Sequence, residues 1–313
     1  MYNRRSFLGK LGSLAVVAGS TTMMPRFLNA QSFSSEEGKL HKLTILHTND
    51  VHSRIEPFPM DGGRNEGRGG IAKRAALISK IRKEEDHVLL LDAGDMFQGT
   101  PYFNYFGGEL EMKLMSKMGY DAGTIGNHDF DGGIDGLHKQ LTTQANFSLI
   151  NCNYDFSDTI MNGHTKPYQV FKKGPLKIGV LGVGVELDGL VPSPLFKKTR
   201  YENPIDKANH YAKILKEEEK CDYVICLSHL GYKYDTNKVS DTVLAERCEA
   251  IDLIIGGHTH TFLNEPTIIK NSKGKETLVT QVGWAGMVLG RLDIYFERNF
   301  QDKCIQCKNE AVG

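Results

Sequence analysis

The chain has 313 residues, of which 40% are hydrophobic, and this is enough material for a substantial buried core. Lysine plus arginine and aspartate plus glutamate both total 38, so the formal net charge is zero. This balance gives no support to a surface that binds a nucleic-acid polymer or an anionic membrane, and any affinity for phosphate must come from a local site.

The first thirty residues resemble an export signal rather than part of the fold. Residues 3–10, NRRSFLGK, carry paired arginines, and the modest apolar segment LAVVAGS follows them. This pattern is typical of a twin-arginine leader, and the apolar run is too short for a convincing membrane span. We therefore expect residues 1–30 to be a signal peptide, residues 31–39 a linker and the protein to be periplasmic. An uncleaved leader that anchors the chain and an ordinary basic leader are the alternatives.

From residue 39 onward, short apolar runs rich in β-branched residues alternate with segments of helical period. The predicted strands are residues 43–47, 87–92, 122–126, 147–152, 176–183, 223–229 and 251–257. The predicted helices are IAKRAALISKIRKEE, ELEMKLMSKMG, IDGLHKQLTTQA and DKANHYAKILKEEEK. Near-continuous apolar strands separated by helices predict an α/β layered fold in which helices cover the sheets.

Hairpin and antiparallel patterns complete the predicted fold. The segment YQVFKKGPLKIGV predicts a hairpin around its Lys-Gly-Pro turn. Towards the end of the chain, ETLVTQV and MVLGRLDIYFE are typical of antiparallel strands that close the structure. The sequence shows no fixed-period repeat and no interior linker. We therefore expect one domain over residues 40–300 and a C-terminal tail over residues 301–313.

The six cysteines do not predict a metal site. Four of them stand singly in apolar or helical segments, where buried, inert thiols are the usual outcome. Cys304 and Cys307 form one Cys-x-x-Cys pair, which is incomplete as a closed zinc site and is not placed like a thioredoxin motif. A small disulfide between these two residues and two separate thiols are both open.

Polar side chains follow the carboxyl ends of five predicted strands. The segments LHTNDVHS, LDAGDMFQG, GNHDFD, SHLG and GGHTH contain Asp50, His52, Asp95, Asn127, His128, Asp131, His229, His258 and His260. In open α/β sheets, ligand sites form in the crevice outside the carboxyl ends of the strands. We therefore expect these side chains to converge in space, although they are spread from residue 50 to residue 260.

The residue types in this set favour a pair of divalent cations. Its candidate ligands offer only oxygen and nitrogen atoms, a set that suits manganese, zinc or iron: Asp50, His52, Asp95, Asn127, His229, His258 and His260. Seven ligands exceed what one transition-metal ion takes from protein, but one bridging carboxylate divides them into two sets of four. Two divalent ions and two carboxylates leave a positive site that can hold an anionic substrate. Two ions roughly 3.5–4 Å apart stabilise both the attacking and the leaving oxygen in phosphoryl displacement.

In this order, the five segments resemble the motif blocks of the calcineurin-like metallophosphoesterases. They are most similar to the catalytic domain of the 5'-nucleotidase and UDP-sugar hydrolase family, whose blocks read HTNDxH and GNHEFD. The resemblance covers about residues 40 to 297. It implies a four-layer αββα fold, a catalytic domain within residues 40–300, and hydrolysis of phosphate esters by a metal-bound hydroxide.

The resemblance also implies a role for each residue. One metal ion would be held by Asp50, His52, Asp95 and His260, and the other by Asp95, Asn127, His229 and His258, with Asp95 bridging the two. His128 would stabilise charge on the phosphate or protonate the leaving alkoxide. Asp131 would fix the orientation of His128. Asp129 is interpreted as structural.

The resemblance favours an exported, metal-dependent phosphoric ester hydrolase, most like a 5'-nucleotidase acting on nucleotide phosphomonoesters. Within the enzyme class, the alternatives are a 2',3'-cyclic-nucleotide phosphodiesterase, a UDP-sugar pyrophosphatase and a sulfur-ester hydrolase of the same lineage. A non-catalytic metal-binding partner subunit is an alternative of a different class.

Full-length 5'-nucleotidases have a second, C-terminal domain that binds the nucleotide, and we expect this sequence to lack it. A separately encoded nucleotide-binding domain would then complete the substrate site, or small phosphoesters would be accepted loosely.

Overall fold

A computed structural model describes residues 40–297 and 303–313 of the chain. The predicted signal peptide, residues 1–30, and the predicted linker, residues 31–39, lie outside the described residues. Among the described helices, none has both the length and the apolar character that crossing a membrane requires.

One sheet combines parallel strands with an antiparallel edge. Its four parallel strands are β1 (His41–Thr48), β2 (Val88–Asp92), β3 (Ala122–Gly123) and β4 (Ser148–Leu149). On the other side of β1, the antiparallel strands are β13 (Val288–Phe296), β14 (Lys303–Cys307) and β15 (Glu310–Ala311). The spatial order is β14-β13-β1-β2-β3-β4, with β15 also paired to β13.

The second sheet has six strands in the order β11-β12-β10-β9-β7-β6. Its strands are β6 (Tyr168–Lys173), β7 (Leu176–Gly184), β9 (Tyr223–His229), β10 (Leu253–Gly256), β11 (Thr267–Lys270) and β12 (Glu276–Thr280). The four central strands are parallel to one another, and the two edge strands are antiparallel to their neighbours. The predicted hairpin is confirmed as β6 and β7. A small separate sheet pairs β5 (Tyr154–Asp155) with β8 (Arg200–Tyr201).

Helices cover the outer faces of both sheets. They are α1 (Ile71–Glu84), α2 (Pro101–Phe106), α3 (Glu109–Met118), α4 (Gly133–Gln144), α5 (Ser193–Phe196), α6 (Pro204–Glu217) and α7 (Asp241–Arg247). A 3-10 turn, His128–Phe130, lies between β3 and α4.

Strand alternation explains why the fold has four layers. Successive strand residues point to opposite faces, so Ile45 of β1 packs between the sheets while its neighbour Leu46 packs against the helices. In β9, Ile225 packs between the sheets and Val224 packs against α6 and α7. Both sheets are therefore apolar on both faces. The predicted four-layer αββα arrangement is confirmed.

The two late strands that were predicted to be antiparallel belong to different sheets. β13 is antiparallel to β1 in the first sheet, as expected. β12 lies in the second sheet, where it is antiparallel to β11 but parallel to β10. The prediction is therefore wrong for the β10 side of β12, because an apolar alternation identifies a strand without identifying its partner.

Part of the segment predicted as a tail is built into the first sheet. Residues 303–307 and 310–311 form β14 and β15, and Ile305 and Cys307 pack against the core between the sheets. Residues three apart on an extended strand point to opposite faces. A disulfide between Cys304 and Cys307 is therefore incompatible with β14 as it is formed.

Candidate metal centre

Both sheets present the carboxyl ends of their parallel strands at one edge, and the predicted site lies there. Asp50 follows β1 and Asp95 follows β2 in the first sheet, while His229 ends β9 in the second. The loops after β1 and β2 are joined by hydrogen bonds, of which Asp50 N to Gly94 O measures 2.9 Å. The His258 amide after β10 donates to Asp50 Oδ1 at 2.9 Å, which joins the second sheet to the first.

The predicted ligands have an unusual backbone. Ten non-glycine residues in the described part have positive φ, and five of them are predicted ligands: Asp50 (50°), His52 (51°), Asp95 (57°), His258 (72°) and His260 (52°). Left-handed backbone is costly for residues with a Cβ and is concentrated at functional sites. The loops after the strands therefore hold these five residues in a backbone conformation that is typical of functional sites.

The side chains form two compact groups. Asp50, His52 and His260 make one group, and Asp95, His229 and His258 make the other; within each group the potential ligand atoms lie within 4.8 Å of one another. Asp95 Oδ2 is 3.1 Å from His229 Nε2 and 3.8 Å from His52 Nε2. The Asp95 carboxylate therefore lies between the two groups. This is the position that a bridging ligand needs.

Backbone carbonyls set the orientation of two of the imidazoles. His229 Nδ1 lies 2.7 Å from Ala93 O, and His52 Nδ1 lies 3.3 Å from Phe97 O. A carbonyl oxygen can only accept, so in the neutral form of each ring Nδ1 carries the hydrogen and Nε2 keeps its lone pair. Both Nε2 atoms then face the carboxylates with the tautomer that binds a metal ion.

Polar atoms at the site have no regular hydrogen-bond partner among the described residues, and their chemistry fits a cation. Asn127 Oδ1 is buried without a hydrogen-bond partner in the described part of the chain, and the buried His229 Nε2 faces the Asp95 carboxylate at 3.1 Å without a regular hydrogen bond. His52 Nε2 and His260 Nε2 lie only 3.0 Å apart, where two lone pairs would repel unless a proton or a metal ion lies between them. Buried polar groups are costly when unsatisfied. The residues present therefore fit a pair of metal ions.

The two buried carboxylates at the site also favour the binding of positive charge. Burial acts to lower the pKa of His229, but the nearby charges of Asp95 and Asp50 outweigh it and raise the pKa to about 10. Burial acts to raise the pKa of Asp95, yet the His229 charge holds it well below its usual range. For His258, burial together with the charges of His229 and Lys238 lowers the pKa to about 4. The buried carboxylates thus attract positive charge to this cavity.

His128 and Asp131 form a separate pair beside the ligand groups. His128 Nδ1 lies 2.8 Å from Asp131 Oδ2, and this hydrogen bond raises the pKa of His128 against the opposing effect of burial. The His128 backbone amide donates to Asp95 Oδ1 at 2.8 Å. The His128 side chain is 39% exposed, so Asp131 fixes the ring while Nε2 remains available to an incoming molecule.

Asp129 holds the backbone of the site and does not line it. Its carboxylate is fully buried and accepts from the backbone amides of Asp95, Met96, Phe97 and Gly126, at 3.0, 2.9, 3.2 and 2.8 Å. These bonds join the loop after β2 to the loop after β3. The geometry agrees with the structural interpretation of this residue.

Two residues that the sequence did not single out also support the site. Asn49 Nδ2 donates to Asp50 Oδ2 and to Gly283 O, both at 2.6 Å, so this amide positions a predicted ligand. Trp284 stacks on His260 with 5.8 Å between ring centroids and 9° between planes. Asn49 stands inside the HTND segment and could have been noticed there. Trp284 gave no such signal, because only the fold brings its loop to His260.

Comparisons with known proteins agree with this architecture. A family model for Calcineurin-like phosphoesterase matches residues 43–262. A snake venom 5'-nucleotidase of Gloydius brevicauda is 34% identical over 275 residues, which are 82% of this chain and 45% of that protein. A 5'-nucleotidase of Bos taurus is 32% identical over 276 residues, covering 82% of this chain and 47% of that protein.

A solved structure extends the likeness to three dimensions. The 5'-nucleotidase precursor of Thermus thermophilus superposes with a TM-score of 0.79 at 30% identity, covering 87% of this chain and 54% of that one. The chain thus spans about half the length of these relatives. With its fold, its five segments and this family match in agreement, the chain belongs to the calcineurin-like phosphoesterase family.

Proposed function

We propose that this protein is a two-metal phosphoesterase that hydrolyses small phosphomonoesters, in the manner of a 5'-nucleotidase. One observation carries the proposal: two compact ligand groups share the Asp95 carboxylate, and the His128–Asp131 pair lies directly beside them. The two groups agree with the two ligand sets implied by the sequence, with Asn127 as the further ligand on the Asp95 side.

The residues divide between two divalent metal ions. Asp50, His52 and His260 would hold one ion, His229, His258 and Asn127 the other, and Asp95 both. When bound, such a pair of ions supplies an activated water and stabilises negative charge on the attacking and leaving oxygens. The chain's own contribution is the fixed geometry of the ligands. Manganese, zinc and iron all suit this set of donors.

His128 acts on the substrate rather than on the metal ions. Because Asp131 binds Nδ1, His128 presents Nε2 to the substrate and donates from it to a phosphate oxygen or to the leaving oxygen. The raised pKa keeps the ring protonated at a higher pH than an unpaired histidine. Asp131 thereby holds both the orientation and the charge of the catalytic imidazole.

The substrate class follows from the charge of the site and from its relatives. Two divalent ions and two carboxylates leave a positive site, which favours a phosphomonoester dianion over a neutral ester. The relatives described above are named 5'-nucleotidases. We therefore propose a nucleoside monophosphate as the substrate of this chain.

Replacing His128 by asparagine tests the proposal. We expect His128→Asn to lower kcat for AMP by about 10²–10⁴-fold, the usual contribution of a general acid, while the metal content stays the same. His210→Asn, an exposed histidine on α6, is the matched control and should retain full activity. Steady-state kinetics and elemental analysis give the two readouts. Full activity of His128→Asn, or wild-type protein that binds no divalent metal, would contradict the proposal.

A further inference from the structure

A pocket with a volume of about 340 Å³ lies where β7 and β9 end, and the predicted catalytic residues do not line it. Its floor is apolar and buried, and consists of Val185, Pro204 and Leu230. Its walls include the half-buried side chains of Tyr201 and Val239. An apolar floor with an aromatic wall suits the flat, weakly polar part of an organic molecule.

The rim of the pocket is polar and exposed. Glu186, Asn203 and Lys238 supply one carboxylate, one amide and one ammonium group. Asn203 Oδ1 caps α6 by accepting from two backbone amides, which leaves its NH₂ group for another acceptor. Lys238 Nζ stands 4.7 Å from the centre of the Tyr234 ring, a cation–π contact within the loop that follows β9. A few polar groups around an apolar floor fix the orientation of a bound molecule.

One side of the pocket is formed by the loop that follows the predicted ligand His229. Leu230, in the pocket floor, immediately follows the predicted ligand His229. The same loop is bound to the other ligand loop, because Tyr232 N donates to Thr259 Oγ1 at 2.9 Å. Thr259 lies between His258 and His260 in the sequence. One residue of the pocket floor thus lies in the loop that carries a predicted ligand, and this loop is bound to the loop of two other predicted ligands.

The other side of the pocket is joined to the turn that carries His128. The Phe130 ring in this turn lies 5.9 Å from the Tyr154 ring, which lies 6.4 Å from the pocket residue Tyr201. The Tyr154 hydroxyl also donates to the carbonyl oxygen of Val185 in the pocket floor. The pocket therefore lies between the His128 turn and the His229 loop.

We propose that this pocket receives the organic part of the phosphomonoester, an alcohol of about nucleoside size with a flat heterocycle. The inference rests on the proposed phosphoesterase function and adds a substrate subsite to it. Small-molecule pockets usually range from about 300 to 1,000 Å³, so a volume of about 340 Å³ suits one such group and is too small for a polymer. The catalytic domain would then contribute to the choice of substrate through its own side chains.

Filling the pocket tests the inference. Val239→Trp places an indole in the wall, and Glu186→Trp fills the exposed rim with little risk to folding. In each variant we expect kcat/KM for AMP to fall about tenfold more than kcat/KM for glycerol 3-phosphate, which is too small to need the pocket. Asn237→Trp makes the same change in the same loop outside the pocket, and should leave the ratio of the two values unchanged. Thermal unfolding verifies that every variant is folded.

A binding measurement separates the inference from catalysis. Adenosine has no phosphate, so calorimetry can follow its binding without turnover. We expect adenosine to bind wild-type protein and Asn237→Trp, and we expect Val239→Trp and Glu186→Trp to lose this binding. Suppose that wild-type protein hydrolyses both esters. If the two pocket variants lower kcat/KM for both esters equally, or if adenosine binds these variants as tightly as wild-type protein, the pocket inference is wrong. The phosphoesterase proposal then still stands. If metal-loaded wild-type protein hydrolyses neither ester, both fall together.

Discussion

Four polar residues within five positions after β3 differ in what they contact. Asn127 has a buried oxygen that no described residue hydrogen-bonds, whereas His128 is held by the Asp131 carboxylate. The buried Asp129 carboxylate accepts hydrogen bonds from backbone amides of the neighbouring loop. Such neighbours point in different directions because the 3-10 turn rotates each side chain by about a third of a turn. One short segment can therefore supply a ligand, a proton donor and structural support.

At the same scale, His47 gives the protein a pH-dependent stability. This residue of β1 is fully buried, and neither ring nitrogen has a hydrogen-bond partner within residues 40–297 and 303–313. Burial lowers its pKa from 6.5 to about 3. The unfolded chain binds a proton below pH 6.5 that the folded chain does not accept. His47 therefore favours folding above pH 6.5, and this contribution is lost as the pH falls from 6.5 towards 3.

We expect the free energy of unfolding of wild-type protein to fall by about 2 kcal/mol more than that of His47→Leu between pH 7.5 and pH 5, at about 1.4 kcal/mol per pH unit below 6.5. Leucine keeps a large apolar side chain at the position but cannot titrate. Urea unfolding at several pH values measures the difference. Parallel losses in the two proteins would show that His47 does not titrate in this way.

Among the elements, the loop after β3 depends on a glycine. A Cβ at Gly126 would lie 2.2 Å from Asp95 Oδ1 and 2.6 Å from Asp95 N, so no side chain fits without moving a predicted ligand. The backbone cannot shift easily, because Gly126 N donates to Asp129 Oδ2 at 2.8 Å. The close approach of the loops after β2 and β3 thus requires glycine here.

We expect Gly126→Ala to destabilise the protein by about 1–3 kcal/mol, as overpacking does, and to lower the metal content below that of wild type. Gly136→Ala is the matched control, since a Cβ at this α4 position meets no atom of another described residue within 4 Å. Alanine in a helix is favoured over glycine by about 0.5–1 kcal/mol, so this variant should be slightly more stable. Chemical denaturation and elemental analysis test both variants. A normal metal content in Gly126→Ala would refute the argument.

For the whole molecule, the candidate metal centre joins the two sheets. Asp50 and Asp95 come from the first sheet, and His229 and His258 from the second. Metal ions bound to both would connect the halves of the sandwich and neutralise its buried carboxylates. Any ligand that binds only the folded state stabilises it, by about 4 kcal/mol at a free concentration a thousandfold above Kd.

We therefore expect chelation to lower the thermal midpoint and added manganese to restore it, with a shift that grows with the free metal concentration. Asp95→Asn should reduce that shift, because Asp95 lies between both ligand groups. Asp135→Asn, on the exposed surface of α4, should keep the full shift. Calorimetry provides the measurement. Equal midpoints with chelator and with metal would show that the two groups do not bind ions in solution.

The sequence by itself determined the local features of this protein. Apolar runs marked most of the strands and helical period marked α1, α3, α4 and α6, because secondary structure and burial follow short-range periodicity. The five segments identified the polar residues at the strand ends.

Only the tertiary structure decided that β9 and β10 lie opposite β1 and β2, which brings the two carboxyl edges together. It also decided that β12 is parallel to β10, that Asn49 and Trp284 support the ligands, and that a pocket adjoins the His229 loop. These features depend on contacts between residues far apart in the chain, which no local pattern specifies.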